Sequence, residues 1–159
     1  CFIVLIILLG VCLMKDVGDA LTIKTLRTMF FKDPQTTLGI DKILFLNTNQ
    51  GIASASYEAK KEMCHSGGIV QGGFITGWLD AVMALACMAK CGTDVLVLSL
   101  EIKVSFINSA KIGKLISTGT VIKNTKTTAF LEGKLEDKEE NLIATGTSTA
   151  KLKSNFYKF

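Results

Sequence analysis

The sequence has few of the features that divide a chain into separate parts or mark a nucleic-acid binder. It has a single proline, Pro34, and a single histidine, His65, among 159 residues, and it contains no internal repeat and no low-complexity linker. A chain of this length is therefore expected to form one domain with a sizeable core. The 18 basic residues are scattered, without a dense basic block, so nucleic acid is a poor candidate partner.

The five cysteines do not form a disulfide framework or a metal-binding motif. Cys87 and Cys91 have the i,i+4 spacing that, in a helix, more often marks small core residues than metal ligands. The odd number of cysteines and the lack of a credible secretion signal favour a reducing compartment. We therefore expect a cytoplasmic protein without a bound metal.

Residues 1–14 form an apolar run that is too short to span a membrane as a helix, which needs about 20 residues. No positively charged leader precedes the run, and no Ala-x-Ala-like cleavage site follows it. The chain does not begin with methionine, whereas Met14-Lys15-Asp16 would be an ordinary cytosolic start. We therefore interpret residues 1–13 as upstream read-through or a fragment of an anchor, and we expect no membrane partner.

Hydrophobic periodicity predicts an α+β protein. An N-terminal helical segment, residues 14–35, contains an amphipathic helix over residues 16–31 that is closed by Asp33-Pro34. A longer apolar helix is predicted over residues 72–90 and should end near Gly92. Strands are predicted over residues 40–46, 52–59, 95–107, 114–124, 127–137 and 141–152. One long apolar helix among antiparallel strands implies a sheet of five or six strands wrapped around that helix.

The start of the long helix carries the most informative pattern of the chain. Gly72 and Gly73 let the backbone approach a ligand closely, and the free N–H groups of a helix start can polarise a carbonyl oxygen. Asp80 follows about two turns later, inside an otherwise apolar run. Because burying a carboxylate costs free energy, its presence needs a reason. A polarised carbonyl and one carboxylate together suggest acyl chemistry.

This segment resembles the signature of the hotdog-fold acyl-CoA thioesterases of the phenylacetic-acid-degradation type, in the 4-hydroxybenzoyl-CoA thioesterase-like superfamily. That signature is Asn-x-x-Gly-x-x-His-Gly-Gly, with an acid nine residues after the His. The matching positions, with the spacing intact, are His65, Gly68, Gln71, Gly72, Gly73 and Asp80. The likeness continues through residues 99–110, 121–130 and 142–150 and covers about residues 36–153. It implies a hotdog domain over residues 36–159.

The resemblance assigns roles to the matching residues. In the family the helix acid is the nucleophile on the thioester or the base for water, so this role falls to Asp80. Gly73 is expected to supply the backbone N–H that polarises the thioester carbonyl, with Gly72 beside it in the substrate-binding set. Ser99 matches a position where some family members keep a serine near the water, although an alternating strand also contains serines for ordinary reasons.

The chain departs from the family pattern at two polar positions. His65 stands where the family usually has Asn, and Gln71 stands where it usually has His. His65 either orients the thioester or the attacking water, or is a polar loop residue; Gln71 either donates its amide to the carbonyl or holds the loop. Lys126, with Lys123 close by, is expected either to contact the phosphates of coenzyme A or to be a solvated surface lysine.

The leading hypothesis is an enzyme that hydrolyses an acyl-CoA thioester to the free acid and coenzyme A, without a metal or other cofactor. The mild net charge of +4 suits an anionic ligand such as coenzyme A. In the family the acid and the oxyanion donor come from different subunits, which implies an obligate dimer or tetramer.

Two other function classes compete with the hydrolase hypothesis. The first is a non-catalytic acyl-CoA-binding or regulatory hotdog module, which the exchanged His65 and Gln71 make plausible. A hotdog hydratase or dehydratase is weaker, because His65 precedes the helix by several residues and that chemistry requires a different acid–histidine arrangement. A serine-type triad fails, since no nucleophile-elbow motif accompanies His65 and Asp80.

Overall fold

Six antiparallel strands form one sheet, and a long helix packs on it. The computed structural model describes residues 15–65 and 67–153. The helices are α1 (Ala20–Met29) and α2 (Gly72–Cys91), and a short 3₁₀ turn spans Lys61–Met63. The strands are β1 (Ile40–Asn47), β2 (Ile52–Ala59), β3 (Leu96–Phe106), β4 (Gly113–Asn124), β5 (Thr128–Asp137) and β6 (Leu142–Lys153).

The order of the strands places β3 at an edge of the sheet. The order is β1-β2-β4-β5-β6-β3, and every neighbouring pair is antiparallel. The chain therefore leaves the sheet after β2, passes through α2, and returns as β3 at the far edge. Within the part of the chain that the structure describes, β3 pairs with β6 on one side and with no strand on the other.

Helix α2 provides the centre of the core. It is long and apolar enough to cross a membrane by length and composition alone, but more than half of that stretch is buried in the protein, as in the core helix of a globular domain. Its fully buried side chains include Trp78, Leu79, Val82, Met83 and Leu85. The helix ends at Gly92, whose φ of 106° suits glycine and whose N–H donates to the carbonyl oxygen of Met88.

A row of three glycines lies under the middle of α2. Gly119, Gly133 and Gly146 face one another across β4, β5 and β6. A Cβ atom at Gly119 would stand 2.6 Å from the carbonyl oxygen of Val82, and one at Gly133 would stand 3.2 Å from Cγ of Met83. The missing side chains therefore allow the backbone of α2 to lie directly on the sheet.

Helix α1 is shorter than the periodicity predicted. It begins at Ala20 rather than near residue 16, because the Asp19 carboxylate caps it by accepting a hydrogen bond from the N–H of Thr22 at 2.7 Å. The residues before the cap run beside β1 instead, where Asp16 accepts from Leu46 N–H and pairs with Arg27 at 2.8 Å. The periodicity of apolar residues predicted a helix that included the segment before Asp19. That segment instead runs in an extended form along the edge of β1.

The remaining elements agree with the prediction to within about two residues. The predicted α+β architecture, with one long central helix and an antiparallel sheet, is confirmed, and the sheet has six strands. A bulge between Ser99 and Glu101 interrupts the alternation of side chains along β3. Residues 1–13, interpreted as read-through or an anchor fragment, lie outside the described residues.

Candidate active site

A tight loop leads into helix α2. The backbone N–H of His65 donates to the carbonyl oxygen of Ile69 at 3.0 Å, and the N–H of Gly68, whose φ is 68°, donates back to the carbonyl oxygen of His65 at 2.9 Å. Val70 N–H then donates to the Ala110 carbonyl oxygen at 2.9 Å. These bonds fasten the loop to the segment that follows β3, so the start of α2 has a fixed position.

The first N–H groups of α2 are available to a ligand. Gln71 is the N-cap, but its side chain makes no capping hydrogen bond. Within residues 15–65 and 67–153, the N–H groups of Gly72 and Gly73 have no hydrogen-bond acceptor, and Gly73 is exposed. The positive end of the helix dipole lies at the same place. This arrangement can stabilise negative charge on a carbonyl oxygen.

Asp80 is held by a serine of the neighbouring strand. The carboxylate is half-buried, and the Oγ of Ser99 donates a hydrogen bond to its Oδ1 at 2.6 Å. Ser99 lies opposite the buried Ala150, so its side chain is on the face of the sheet that carries α2, and the bulge follows it directly. The structure thus brings together two of the residues named from the sequence, and it explains how a carboxylate is accommodated on an apolar helix.

The hydrogen bond of His65 defines which of its nitrogens carries the proton. Its Nδ1 accepts from the N–H of Gly67 at 3.3 Å, so the neutral ring carries its proton on Nε2 and can donate from there. The ring is exposed, and in the described part of the chain it makes no hydrogen bond or ion pair with Asp80. His65 therefore belongs to the helix start and not to the acid.

A cavity of about 420 Å³ opens beside the helix start. His65, Gln71 and Gly72 contribute to its lining from one side, and Phe106 and Ala110 contribute from the end of β3 and the following segment. Asp80 and Ser99 are not among its lining residues. The sequence did not single out Phe106; the only available signal was its position as the last apolar residue of an alternating strand.

Asp80 and the N–H groups lie at different places along the same helix. Asp80 follows Gly73 by seven residues, which corresponds to a rise of about 10 Å. A donor must lie within about 3 Å of the carbonyl oxygen that it stabilises, and a nucleophile within about 3.5 Å of the carbon that it attacks. The rise between the two groups is longer than either distance.

Lys123 and Lys126 lie at the hairpin between β4 and β5, and both are exposed. The hairpin is joined to the end of β6 by the Leu152 N–H, which donates to the Thr127 carbonyl oxygen at 2.8 Å. Neither lysine lines the cavity at the helix start. Their predicted contact with coenzyme A phosphates stays a prediction.

Comparisons with known proteins show what the chain is similar to. Residues 67–144 match the family model of the thioesterase superfamily. None of the curated proteins matches the sequence. A putative thioesterase of Ralstonia eutropha, a phenylacetic acid degradation-related protein, is 25% identical over 82% of this chain and 98% of that chain, with a TM-score of 0.72.

Two further solved structures share the fold. The E. coli PaaI protein, from the phenylacetic acid degradation operon, is 17% identical over 84% of this chain and 94% of that chain, with a TM-score of 0.74. A Streptococcus mutans protein bound to acetyl-CoA is 18% identical over 74% of this chain and 90% of that chain, with a TM-score of 0.66. The chain thus has the hotdog fold, and its residues 67–144 resemble the thioesterase superfamily.

Replacing Asp80 by Asn should preserve the fold and lower kcat for acyl-CoA hydrolysis by about 10²–10⁴-fold, the usual contribution of a general acid–base group. Ser99→Ala should lower kcat less, by about 10–100-fold, because it removes one hydrogen bond to a charged group and leaves the carboxylate in place. Thiol release in steady-state assays measures both effects.

Ser105→Ala is the matched control, since Ser105 lies on β3 but pairs with Thr145 on the opposite face of the sheet. It should leave kcat unchanged. A loss of less than about threefold in the Asp80→Asn variant would show that the assignment of the acid is wrong.

Proposed function

We propose that this protein hydrolyses an acyl-CoA thioester to the free acid and coenzyme A. The observation that carries the proposal is the hydrogen bond between the Asp80 carboxylate and the Ser99 hydroxyl, on the same helix as the N–H groups of Gly72 and Gly73, which have no acceptor among the described residues. The match of residues 67–144 to the thioesterase superfamily supports thioester hydrolysis in general. The acetyl-CoA bound to the Streptococcus mutans relative supports coenzyme A thioesters as the substrate class.

In this mechanism the thioester carbonyl oxygen accepts a hydrogen bond from Gly73 N–H, which stabilises the charge that develops on the oxygen. Asp80 either takes a proton from the water that attacks the carbonyl carbon, or attacks the carbon itself and forms an anhydride that water then cleaves. In both routes the C–S bond breaks and its electron pair leaves with sulfur. The water oxygen ends in the acid, and one water proton ends on the thiol of coenzyme A.

A second copy of the chain completes the site in this proposal. In this proposal the two groups around one thioester come from different copies, because Asp80 and Gly73 are separated by about two turns of α2. Strand β3 offers the interface, because its outer edge has no strand partner in the described residues and it exposes Leu98, Leu100 and Phe106. Two β3 edges paired around a two-fold axis would form a continuous sheet.

In this proposal the two-fold axis lies where it brings the acid of one copy towards the N–H groups of the other. An antiparallel pair of β3 strands centred on Lys103, with the extra residue of the bulge between Ser99 and Glu101 left unpaired, would place Ser99 of one copy opposite Phe106 of the other. Phe106 lies against the start of its own helix α2. The same pairing would therefore bring the acid of one copy towards the N–H groups of the other, twice per dimer. A tetramer would be a pair of such dimers.

The exchanged polar residues serve the carbonyl side of the site in this proposal. The Nε2–H of His65 and the side-chain amide of Gln71 lie at the same cavity as Gly72 and can donate hydrogen bonds to the thioester or to a water. The lysines Lys123 and Lys126 are proposed to bind the phosphates of coenzyme A, and the reaction is proposed to take place in the cytoplasm.

A panel of acyl-CoA thioesters, assayed for thiol release, tests the proposed function. We expect turnover of at least one acyl-CoA that depends on Asp80. Binding of the thioester without thiol release would instead support the alternative of a non-catalytic acyl-CoA-binding module, which the departures at His65 and Gln71 favour. The Asp80→Asn variant is the control for thiol released by a contaminating enzyme.

Co-expression of two inactive variants tests whether each site is shared. Asp80→Asn retains its N–H donors, and Gly73→Val retains its acid but fills the space beside the donor. A mixed dimer then contains one intact site if the acid and the donor come from different copies. The mixture should regain roughly a quarter of wild-type activity, because about half of the dimers are mixed and one of their two sites is intact.

If each site is instead built within one chain, the same mixture should regain no activity. Light scattering on the wild-type protein provides the second measurement, and a stable, active monomer would contradict the shared site. Each variant expressed alone gives the baseline.

Substitution of His65 distinguishes a hydrogen-bond donor from a base. His65→Asn should retain activity and His65→Ala should lose much of it, because Asn replaces one hydrogen bond and the loss of such a bond costs about 1–3 kcal/mol when a buried partner is left unsatisfied. If His65 is a base, Asn should fail as Ala does, and the pH profile should lose a limb near neutrality. Full activity of both variants would show that His65 only maintains the structure of the loop.

A further inference from the structure

Phe106 occupies an unusual position for a large apolar side chain. It is the last residue of β3 and pairs with the buried Ala144, which places its ring on the helix-bearing face of the sheet. The residue is 55% exposed. A Cβ atom at Gly72 would stand 3.0 Å from the ring, at Cζ. The ring therefore lies against the backbone of the helix start, immediately beside its first N–H groups.

The cavity at this place has an apolar part and a polar part. Ile69, Ile75, Phe106 and Ile107 contribute apolar side chains to its lining. The polar part is formed around Gln71 and the N–H of Gly72, next to which lies the N–H of Gly73, a residue that does not itself line the cavity. A thioester carbonyl bound at those N–H groups would extend its hydrocarbon part into the apolar region, because burial of hydrocarbon there is favourable. The thiol arm of coenzyme A contains amide groups and fits an apolar lining less well.

We propose that Phe106 is a specificity-determining residue that limits the size of the acyl group. This inference rests on the proposed function, since it takes the N–H groups of the helix start as the carbonyl site. The ring forms the wall of the apolar region nearest to the carbonyl. The missing side chain at Gly72 leaves room for the ring, since a Cβ atom there would lie 3.0 Å from Cζ. A smaller side chain at residue 106 should admit bulkier acyl groups, and a larger one should exclude all but small groups.

The test is the ratio of kcat/KM for lauroyl-CoA to that for acetyl-CoA in three proteins. Phe106→Ala should raise the ratio about tenfold or more, and Phe106→Trp should lower it by a similar factor, in line with the discrimination that one or two methylene groups give in an apolar pocket. Phe31→Ala is the control, because Phe31 is 39% exposed and does not line the cavity. It should leave the ratio unchanged.

A change of kcat/KM by the same factor for both substrates would overturn the proposal. That result would mean that the ring contacts the coenzyme A part or only supports the fold. Inhibition by free coenzyme A separates these roles, and it should be the same in wild type and Phe106→Ala. Thermal unfolding of each variant shows whether the fold is retained, and the Trp variant keeps the test decisive if the Ala variant does not fold.

Gly72→Ala gives an independent test of the same contact. Its methyl group should displace the exposed ring of Phe106 and so change the lauroyl-to-acetyl ratio in the wild-type background. In the Phe106→Ala background there is no ring to displace, so the same substitution should leave the ratio nearly unchanged. Additive effects of the two substitutions would contradict the coupling that the geometry predicts.

Failure of the proposed function would be recognisable separately. If wild type releases no thiol from any acyl-CoA, the hydrolase proposal fails. Calorimetric binding of thioether analogues of acetyl-CoA and lauroyl-CoA then tests Phe106 alone. If the ring limits acyl size, Phe106→Ala should also shift the ratio of the two affinities by about tenfold. Equal affinities in wild type and variant would overturn that role.

Discussion

The contact between helix α2 and the glycines of the sheet is the constraint on which the rest of the structure depends. Gly119, Gly133 and Gly146 remove the side chains that would otherwise separate the helix from three adjacent strands. The backbone of the helix can then lie on the sheet, with Trp78 and Leu79 fully buried around it. Because protein interiors are close-packed, this contact fixes both the height and the direction of the helix.

The fixed helix positions two different chemical groups along its length. Its start is held by the loop through His65 and Val70, and it presents its first N–H groups beside a cavity that is partly apolar. Two turns later Asp80 reaches the hydroxyl of Ser99 on the edge strand. The same rigid element therefore carries both halves of the proposed chemistry and keeps them about 10 Å apart. The free edge of β3 offers the route by which a second copy would join them.

Much of the site was predictable because it lies in one continuous stretch of sequence. The pair Gly72-Gly73 and the acid at residue 80 share one helix, and helix geometry alone gives the distance between them along the helix axis. The strands were also predictable, since an alternating pattern identifies a half-buried strand without knowledge of its partners. Helix α1 was predicted too long, because periodicity does not show that Asp16 binds the edge of β1.

The sequence alone thus determined the type of each element and the spacing of an acid from a helix start, and its resemblance to a known family suggested the class of chemistry. Only the tertiary structure decided which residues meet across the chain. Ser99 reaches Asp80 because the connection through α2 returns the chain to the far edge of the sheet. Phe106 reaches Gly72 for the same reason. Contacts between residues distant in sequence depend on strand order and packing, which local patterns of side chains do not encode.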